Sequence, residues 1–223
     1  MSSNKIDCFG IAQFLNDYVG MSLIPSRKSG IFLQGSFSFV AKPVTGLKLS
    51  DTYYLRIMVS NQFPKVIPSV IELDKKIPRD GKHHINPDDT FCLGSPLRLR
   101  ITLSKYPSLI GFAEKILVPY LYAMTYERMF PGKLPADELA HGDEGIITDY
   151  KDILKLKTPE QIRSALKLLG VKRRIANKKN CPCSCGKRYG ECKYRYILEQ
   201  YRYTANRGWF REHSRNFSND FIN

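Results

Sequence analysis

Tryptophan occurs once in these 223 residues and histidine four times, and the six cysteines are too unevenly placed for a disulfide framework. Cys181, Cys183, Cys185 and Cys192 crowd into twelve positions, whereas Cys8 and Cys92 stand alone. That spacing argues against the bridges of a secreted domain and suits metal binding in a reducing compartment. No apolar run reaches the roughly 18 residues of a membrane span. The N-terminal MSSNKIDCFG lacks the charged-then-apolar design of an export signal. These absences predict a cytoplasmic chain with no membrane partner. A glycine-rich nucleotide loop is also missing. No paired carboxylates stand at metal-ligating spacing with histidine apart from the turn-like Asp88 and Asp89, which leaves a nuclease or hydrolase without a recognisable site.

What is present is a globular composition, 43% apolar, long enough for one ordinary domain and a smaller appendage. Its charge is uneven. From Lys157 onward there are 16 Lys and Arg against 5 Asp and Glu, whereas the first 156 residues hold 19 against 16. The basic character belongs to the tail and is compatible with nucleic acid, an acidic protein surface or solubility alone.

In IDCFGIAQFLNDYV, Ile11, Leu15 and Val19 fall on one helical face, and Cys8 is read as packing. Ile31, Leu33, Phe37, Phe39 and Ala41 alternate with mostly polar neighbours, as do Tyr53, Leu55, Ile57 and Val59, and VIEL follows as a short strand. An antiparallel meander of three or four strands is the economical reading. A long loop then runs from Asp74 to Pro96, a length more often functional than idle. Helical patterns follow from Pro107, where Pro119 should kink or divide the helix. Two further helices are expected at Asp143 to Leu156 and at Thr158 to Leu169. The second has capping-box spacing between Thr158 and Gln161, Pro159 in its first turn and Gly170 at its end. The linker VKRRIANKKN places a boundary between residues 1–170 and 171–223.

The loop holds HHINPDDTFCLGSP. Strands followed by FPKVIPSV, then this loop, then a helix introduced by YPSL, resemble the ubiquitin-conjugating-enzyme fold. The family's third strand is announced by a pattern like YPFKPPKV, matched by Phe63, Pro64, Pro68 and Val70. Its flap reads HPN, a few residues, then ICLD with the catalytic cysteine, matched here by FCLG. The resemblance covers roughly Ile6 to Phe130. It implies an α+β fold, a meander sheet with flanking helices, and Cys92 as the thioester-forming nucleophile. Where the family has Asn eight residues before the cysteine, this chain has His84, with His83 adjacent and Asn86 nearer. That replacement, with AHGDEGI and its His141, is similar to a divergent bacterial branch, some of whose members accompany antiphage operons.

The chemistry asks for these residue types. A free thiol near pKa 8.5 is only a few per cent ionised at neutral pH, so a flanking imidazole helps, and an Asn or His donor can steady the oxyanion. The resemblance implies as partners an activating enzyme and a ubiquitin-like modifier or target protein. A catalytically inactive binding module, bridging protein or nucleic acid through the basic tail, is the competing reading.

The segment CPCSCGKRYGEC resembles the SEC-C zinc motif, like CPCGSGKKYKKC followed by Cys or His. Cys181, Cys183 and Cys192 fall in register. Lys193 stands where the fourth ligand usually lies, and Cys185 occupies a serine position. Four thiolates suit a structural, tetrahedral zinc, with His213 as an alternative fourth ligand. Beyond it, Tyr194, Tyr196, Tyr201, Tyr203, Trp209 and Phe210 interleave with Lys and Arg, a composition shared by base-stacking surfaces and by an ordinary helix packed over a zinc knuckle.

Overall fold

The computed structural model describes residues 9–26, 29–44, 46–80, 83–132 and 142–221. Two compact units divide the chain, one of Met1–Gly94 with Thr102–Glu138, the other of Ser95–Ile101 with Leu139–Asn223. The architecture is α+β, and no described helix is long and apolar enough to cross a membrane.

The first unit opens with α1 (Ile11–Asp17) and continues as four antiparallel strands in sequence order, β1 (Met21–Leu23), β2 (Ile31–Ala41), β3 (Leu49–Val59) and β4 (Ser69–Glu72). The register of β2 on β3 runs unbroken from Ile31↔Val59 to Ala41↔Leu49. Strand alternation therefore sends Leu33, Phe37, Phe39, Tyr53, Leu55 and Ile57 to one buried face, as the sequence pattern requires. Each such side chain contributes roughly 1.5–3 kcal/mol by leaving water.

α1 differs from expectation. Ile11 and Phe14 are its buried residues, and Val19 is 86% exposed, because the helix ends at Asp17 and only the i, i+3 pair faces the core.

Beyond β4 and the loop stands α2 (Pro96–Lys105), a helix outside the predicted ones. Its signals were Ser95 as N-cap, whose Oγ accepts from the Arg98 N–H at 3.4 Å, and Pro96 in the first turn. α3 (Leu109–Phe112), capped by Ser108 accepting from the Gly111 N–H at 3.1 Å, passes through a π turn at Ala113–Leu117 into α4 (Val118–Met129). Pro119 neither divides the helix nor ends it. Lacking an N–H, it cannot bond the Lys115 carbonyl four residues back, and the backbone widens over that turn instead. α4 packs on β2 and β3.

The second unit contains α5 (Gly142–Leu154), α6 (Pro159–Leu169), α7 (Arg173–Ala176), α8 (Arg195–Glu199) and α9 (Arg207–Phe221). Both bonds of the Thr158/Gln161 capping box are present. One apolar core gathers Tyr150, Leu154, Ile162, Leu166, Leu169, Ala176, Cys181, Tyr189, Leu198 and Phe210. The segment VKRRIANKKN thus carries a helical turn and a fully buried Ala176 rather than running as a free linker. Asp149, only 2% exposed, accepts from Arg98 Nε at 2.7 Å and from the Ser95 hydroxyl, so its charge is neutralised inside the unit.

A candidate active-site cysteine and a candidate metal centre

In the first unit, the loop before Cys92 is wound around a buried carboxylate. Glu72, on the same face of β4 as Val70, accepts from the Lys76 N–H at 2.5 Å, the Ile77 N–H at 3.1 Å and Arg79 Nη1 at 2.7 Å. Arg79 Nη2 also donates to the Glu72 carbonyl at 2.9 Å. Lys76 in turn reaches the Asp51 carboxylate, which also accepts from Thr125 Oγ1 at 3.0 Å and Arg128 at 2.5 Å. Burial pushes the Asp51 carboxyl up. The hydrogen bonds of Lys76, Thr52 and Thr125 and the charge of Arg128 outweigh it and hold the group below the usual range.

The second half of the loop is a small hairpin. Ile85 pairs with Phe91 and Thr90 with Ile71 of β4, while the Phe91 N–H donates to the Val70 carbonyl at 2.9 Å. Its turn is closed by the Asn86 N–H to the Thr90 carbonyl at 2.8 Å and by Asp88, which accepts from the Thr90 N–H at 3.1 Å and its hydroxyl at 2.6 Å. Asn86 Nδ2 donates to Thr90 Oγ1 at 2.9 Å. These bonds hold the turn within a 14-residue stretch rich in turn formers.

Cys92 follows directly and is exposed, while its neighbour Phe91 is buried with its ring 4.5 Å from that of Tyr120. The Cys92 N–H donates to the His84 carbonyl at 2.7 Å. His84 lies at φ 51°, a left-handed conformation costing a non-glycine residue about 1–2 kcal/mol. Gly94, at φ 131°, releases the chain two residues on, where a side chain would be strained. The Tyr120 hydroxyl donates to the His83 carbonyl at 3.0 Å and the His84 carbonyl at 3.3 Å. Burial, with the neighbouring Cys92 charge adding to it, pushes the Tyr120 phenol well above its usual value. The His83 ring is engaged at both nitrogens, Nδ1 with Asp80 at 2.7 Å and Nε2 with Glu127 of α4 at 2.8 Å.

Cys92 and the His84 backbone are therefore in direct contact. His83 anchors the loop to α4, and the Asn86 amide closes the turn. His141 and Cys8 lie outside the described residues. Sequence reasoning missed Tyr120, Glu127, Asp80 and Glu72. Tyr120 and Glu127 stand seven apart on one helix face, a spacing that flags a shared face but not its partner.

In the second unit, the sulfurs of Cys181, Cys183, Cys185 and Cys192 all lie within 4.8 Å of one another. Neighbouring pairs are 3.2 Å (181–183), 3.6 Å (183–192) and 3.5 Å (185–192) apart. A tetrahedron with metal–sulfur bonds of about 2.3 Å has edges of about 3.8 Å, so the four sulfurs are close enough together to hold one metal ion between them.

The backbone repeats one device at every cysteine of the cluster. The N–H two residues on faces each sulfur, from Cys183 to Cys181, Cys185 to Cys183, Lys187 to Cys185 and Tyr194 to Cys192, the last at 3.4 Å. Such donors favour thiolate over thiol and are what a metal-bound sulfur accepts. Ser184 at φ 62° and Gly186 at φ 76° make the alternating Cys spacing sterically attainable. Burial pushes the Cys181 thiol up, whereas the Lys187 N–H and the neighbouring thiols bring exposed Cys185 down to about 7.

His213 is not in this group. It bonds the Tyr150 hydroxyl through Nε2 at 2.6 Å and stacks on Trp209 at 4.5 Å. Most of the aromatic tail is likewise structural. The Tyr194 hydroxyl donates to the Leu154 carbonyl at 2.7 Å and that of Tyr201 to the Ile153 carbonyl at 2.8 Å, while Phe210 is buried. Arg202 closes the end of α6 through the Leu169 and Val171 carbonyls at 3.1 and 2.9 Å. Tyr196 and Tyr203 remain exposed.

Compared with protein-family models, curated proteins and solved structures, the chain matches none.

Proposed function

We propose that the chain is a ubiquitin-conjugating-like acyl carrier in which Cys92 holds a carboxyl terminus as a thioester and passes it to an amine. The reading rests on one observation above the rest. Cys92 is exposed at the end of a loop whose backbone is tied down on both sides, at the His84 carbonyl and through buried Phe91. A fixed nucleophile reduces the entropy cost of meeting the acyl carbon.

The Cys92 thiolate attacks the acyl carbon of an activating enzyme's thioester, and that enzyme's thiolate leaves. An amine then attacks the Cys92 thioester. The C–S bond breaks, an amide forms, and the proton lost by the amine ends on the Cys92 sulfur or on a nearby base. His84 is assigned the proton-transfer or oxyanion role, with Asn86 as second donor and His83 as positioning group. The cargo is a ubiquitin-like modifier or a target protein. A bacterial antiphage setting rests on the resemblance alone.

For the metal centre we propose zinc in a structural role. Four thiolates in a tetrahedron suit zinc or iron, and four protein ligands leave no open position for a substrate. The ion would supply charge neutralisation and a cross-link between Cys181–Cys185 and Cys192.

The test is intact mass under non-reducing conditions after incubation with a candidate activating enzyme, ATP and modifier, comparing the chain with Cys92→Ser. A hydroxylamine-labile adduct that becomes a stable ester in the serine variant supports the carrier. Absence of adduct in both, with the activating enzyme itself charged, overturns it in favour of a binding module.

A further inference from the structure

Between Lys172 and Tyr196 the chain has nine Lys and Arg and one acidic residue, Glu191. The cysteine loop folds this segment back on itself. The Tyr189 N–H donates to the Lys179 carbonyl at 2.8 Å, the Gly190 N–H to the Asn177 carbonyl at 3.1 Å and the Cys181 N–H to the Lys187 carbonyl at 3.0 Å, with Asn180 paired to Arg188. Lys178 and Lys179 are thereby brought beside Lys187 and Arg188 on a short ribbon joined by that single antiparallel bridge, all four exposed. Arg195 is fastened to its end through the Gly190 carbonyl at 2.6 Å.

Arg173 apart, the charge of this region is left without carboxylate pairs among the described residues. Glu199 is committed to Arg202 at 2.9 Å and Arg173 at 3.6 Å, and among the described residues no carboxylate pairs with Lys178, Lys179, Lys187 or Arg188. Like charges held this close repel unless a polyanion neutralises them. The Arg195 guanidinium lies 4.7 Å from the Tyr196 ring centroid and donates to its hydroxyl at 2.7 Å, while Tyr196 stays 68% exposed. An exposed ring backed by a cation offers a flat face for a base, which an acidic protein surface would not use.

We infer that this ribbon binds the sugar–phosphate backbone of single-stranded nucleic acid, with Tyr196 as a stacking platform for one base. The surface is independent of the thioester chemistry, and its test needs neither Cys92 nor an activating enzyme.

Fluorescence anisotropy of the full, metal-loaded chain with labelled oligo(dT) and oligo(U) of about 16 nucleotides reads the binding and separates DNA from RNA. Affinity is expected to fall with salt with a log–log slope of about −0.7 per phosphate contacted. Replacing Lys178, Lys179, Lys187 and Arg188 together by Ala is expected to reduce that slope by about 3 and affinity at least about tenfold. Tyr196→Ala is expected to cost about tenfold while leaving the slope unchanged. Retained metal content and circular dichroism establish that both variants are folded. No binding at low salt, or binding untouched by the fourfold variant, overturns the inference. Equal displacement by polyglutamate together with an unaffected Tyr196→Ala also overturns it, in favour of an acidic protein partner.

Discussion

The loop before Cys92 and the loop carrying the other four described cysteines are both built largely from turn residues, yet they are held by opposite means. The first turns around carboxylates. Glu72 gathers the backbone of residues 76 and 77 and the Arg79 side chain, Asp51 takes Lys76, and Asp80 and Glu127 take the two nitrogens of His83. Its one cysteine takes no part in this and faces solvent. The second turns around the cysteines themselves, each sulfur facing a backbone N–H. A thiol left out of the scaffold is available for chemistry, and thiols that are the scaffold are not.

Metal removal should separate the two most sharply. If the four cysteines hold zinc in the structural role proposed, the ion would contribute on the order of 10–16 kcal/mol of apparent folding free energy near pH 7. Chelation, or Cys181→Ser, is therefore expected to abolish the protection of the second unit in hydrogen exchange while the strands of the first unit stay protected. Loss of protection at β2 and β3 on chelation would show that the distinction does not hold.

Glu72→Ala attacks the other scaffold. It removes the carboxylate that gathers the loop and leaves Arg79 the main-chain carbonyls of residues 72 and 77 and a longer ion pair to Asp89 at 3.5 Å, and breaking such a partly buried pair costs about 3–5 kcal/mol. Urea denaturation is expected to show that loss, with faster alkylation of Cys92 as the loop loosens. Unchanged alkylation would mean that the hairpin at residues 85–91 alone fixes the cysteine.

Tyr120→Phe removes only the hydroxyl bonded to the His83 and His84 carbonyls, and is expected to cost about 1 kcal/mol. The same denaturation measurement reads it.

The carboxylate scaffold should also be acid-sensitive. Asp51 has a folded pKa below its unfolded value of about 3.9. Its contribution is thus fully present above about pH 4–5 and is lost as pH falls through the folded pKa. Asp51→Asn is expected to flatten the acid limb of stability of the first unit below that range and to leave its slope near neutrality unchanged.

The smallest effect belongs to Cys92→Ser. An exposed side chain outside the scaffold is expected to change stability by no more than about 0.5 kcal/mol, while removing any thioester. A larger loss in thermal denaturation would mark Cys92 as structural.

Some of this was written plainly in the sequence. The alternation through Leu33, Phe37, Tyr53 and Ile57 determines strands with one buried face, since a shift of one residue would turn every one of them to water. The Thr158/Gln161 box starts α6 by local hydrogen bonds alone. Four cysteines in twelve positions can meet without help from distant chain, so the candidate metal centre was legible as a set of residues. α2 is not legible from periodicity, because its Ser95–Pro96 start is short and Arg98, Arg100 and Ser104 interrupt the apolar pattern. The exposed Val19 was misplaced because helical spacing predicts a face but not where the helix stops.

What only tertiary structure decided are the partners across long separations. Glu72 in VIEL, the last residue of β4, reads as an ordinary strand-end acid, and its burial depends on Arg79 and two backbone N–H groups arriving beside it. Tyr120 and Glu127 acquire their roles because α4 lies where the loop passes. Tyr194, Tyr201 and Arg202, which look from composition like a surface for bases and phosphates, are taken up by carbonyls at the ends of α5 and α6. The sequence alone determined the periodicities, caps and close-spaced ligands, because local geometry suffices for them. Which polar groups end up buried was left to the fold, because a buried charge or hydroxyl needs a partner that only packing brings within reach.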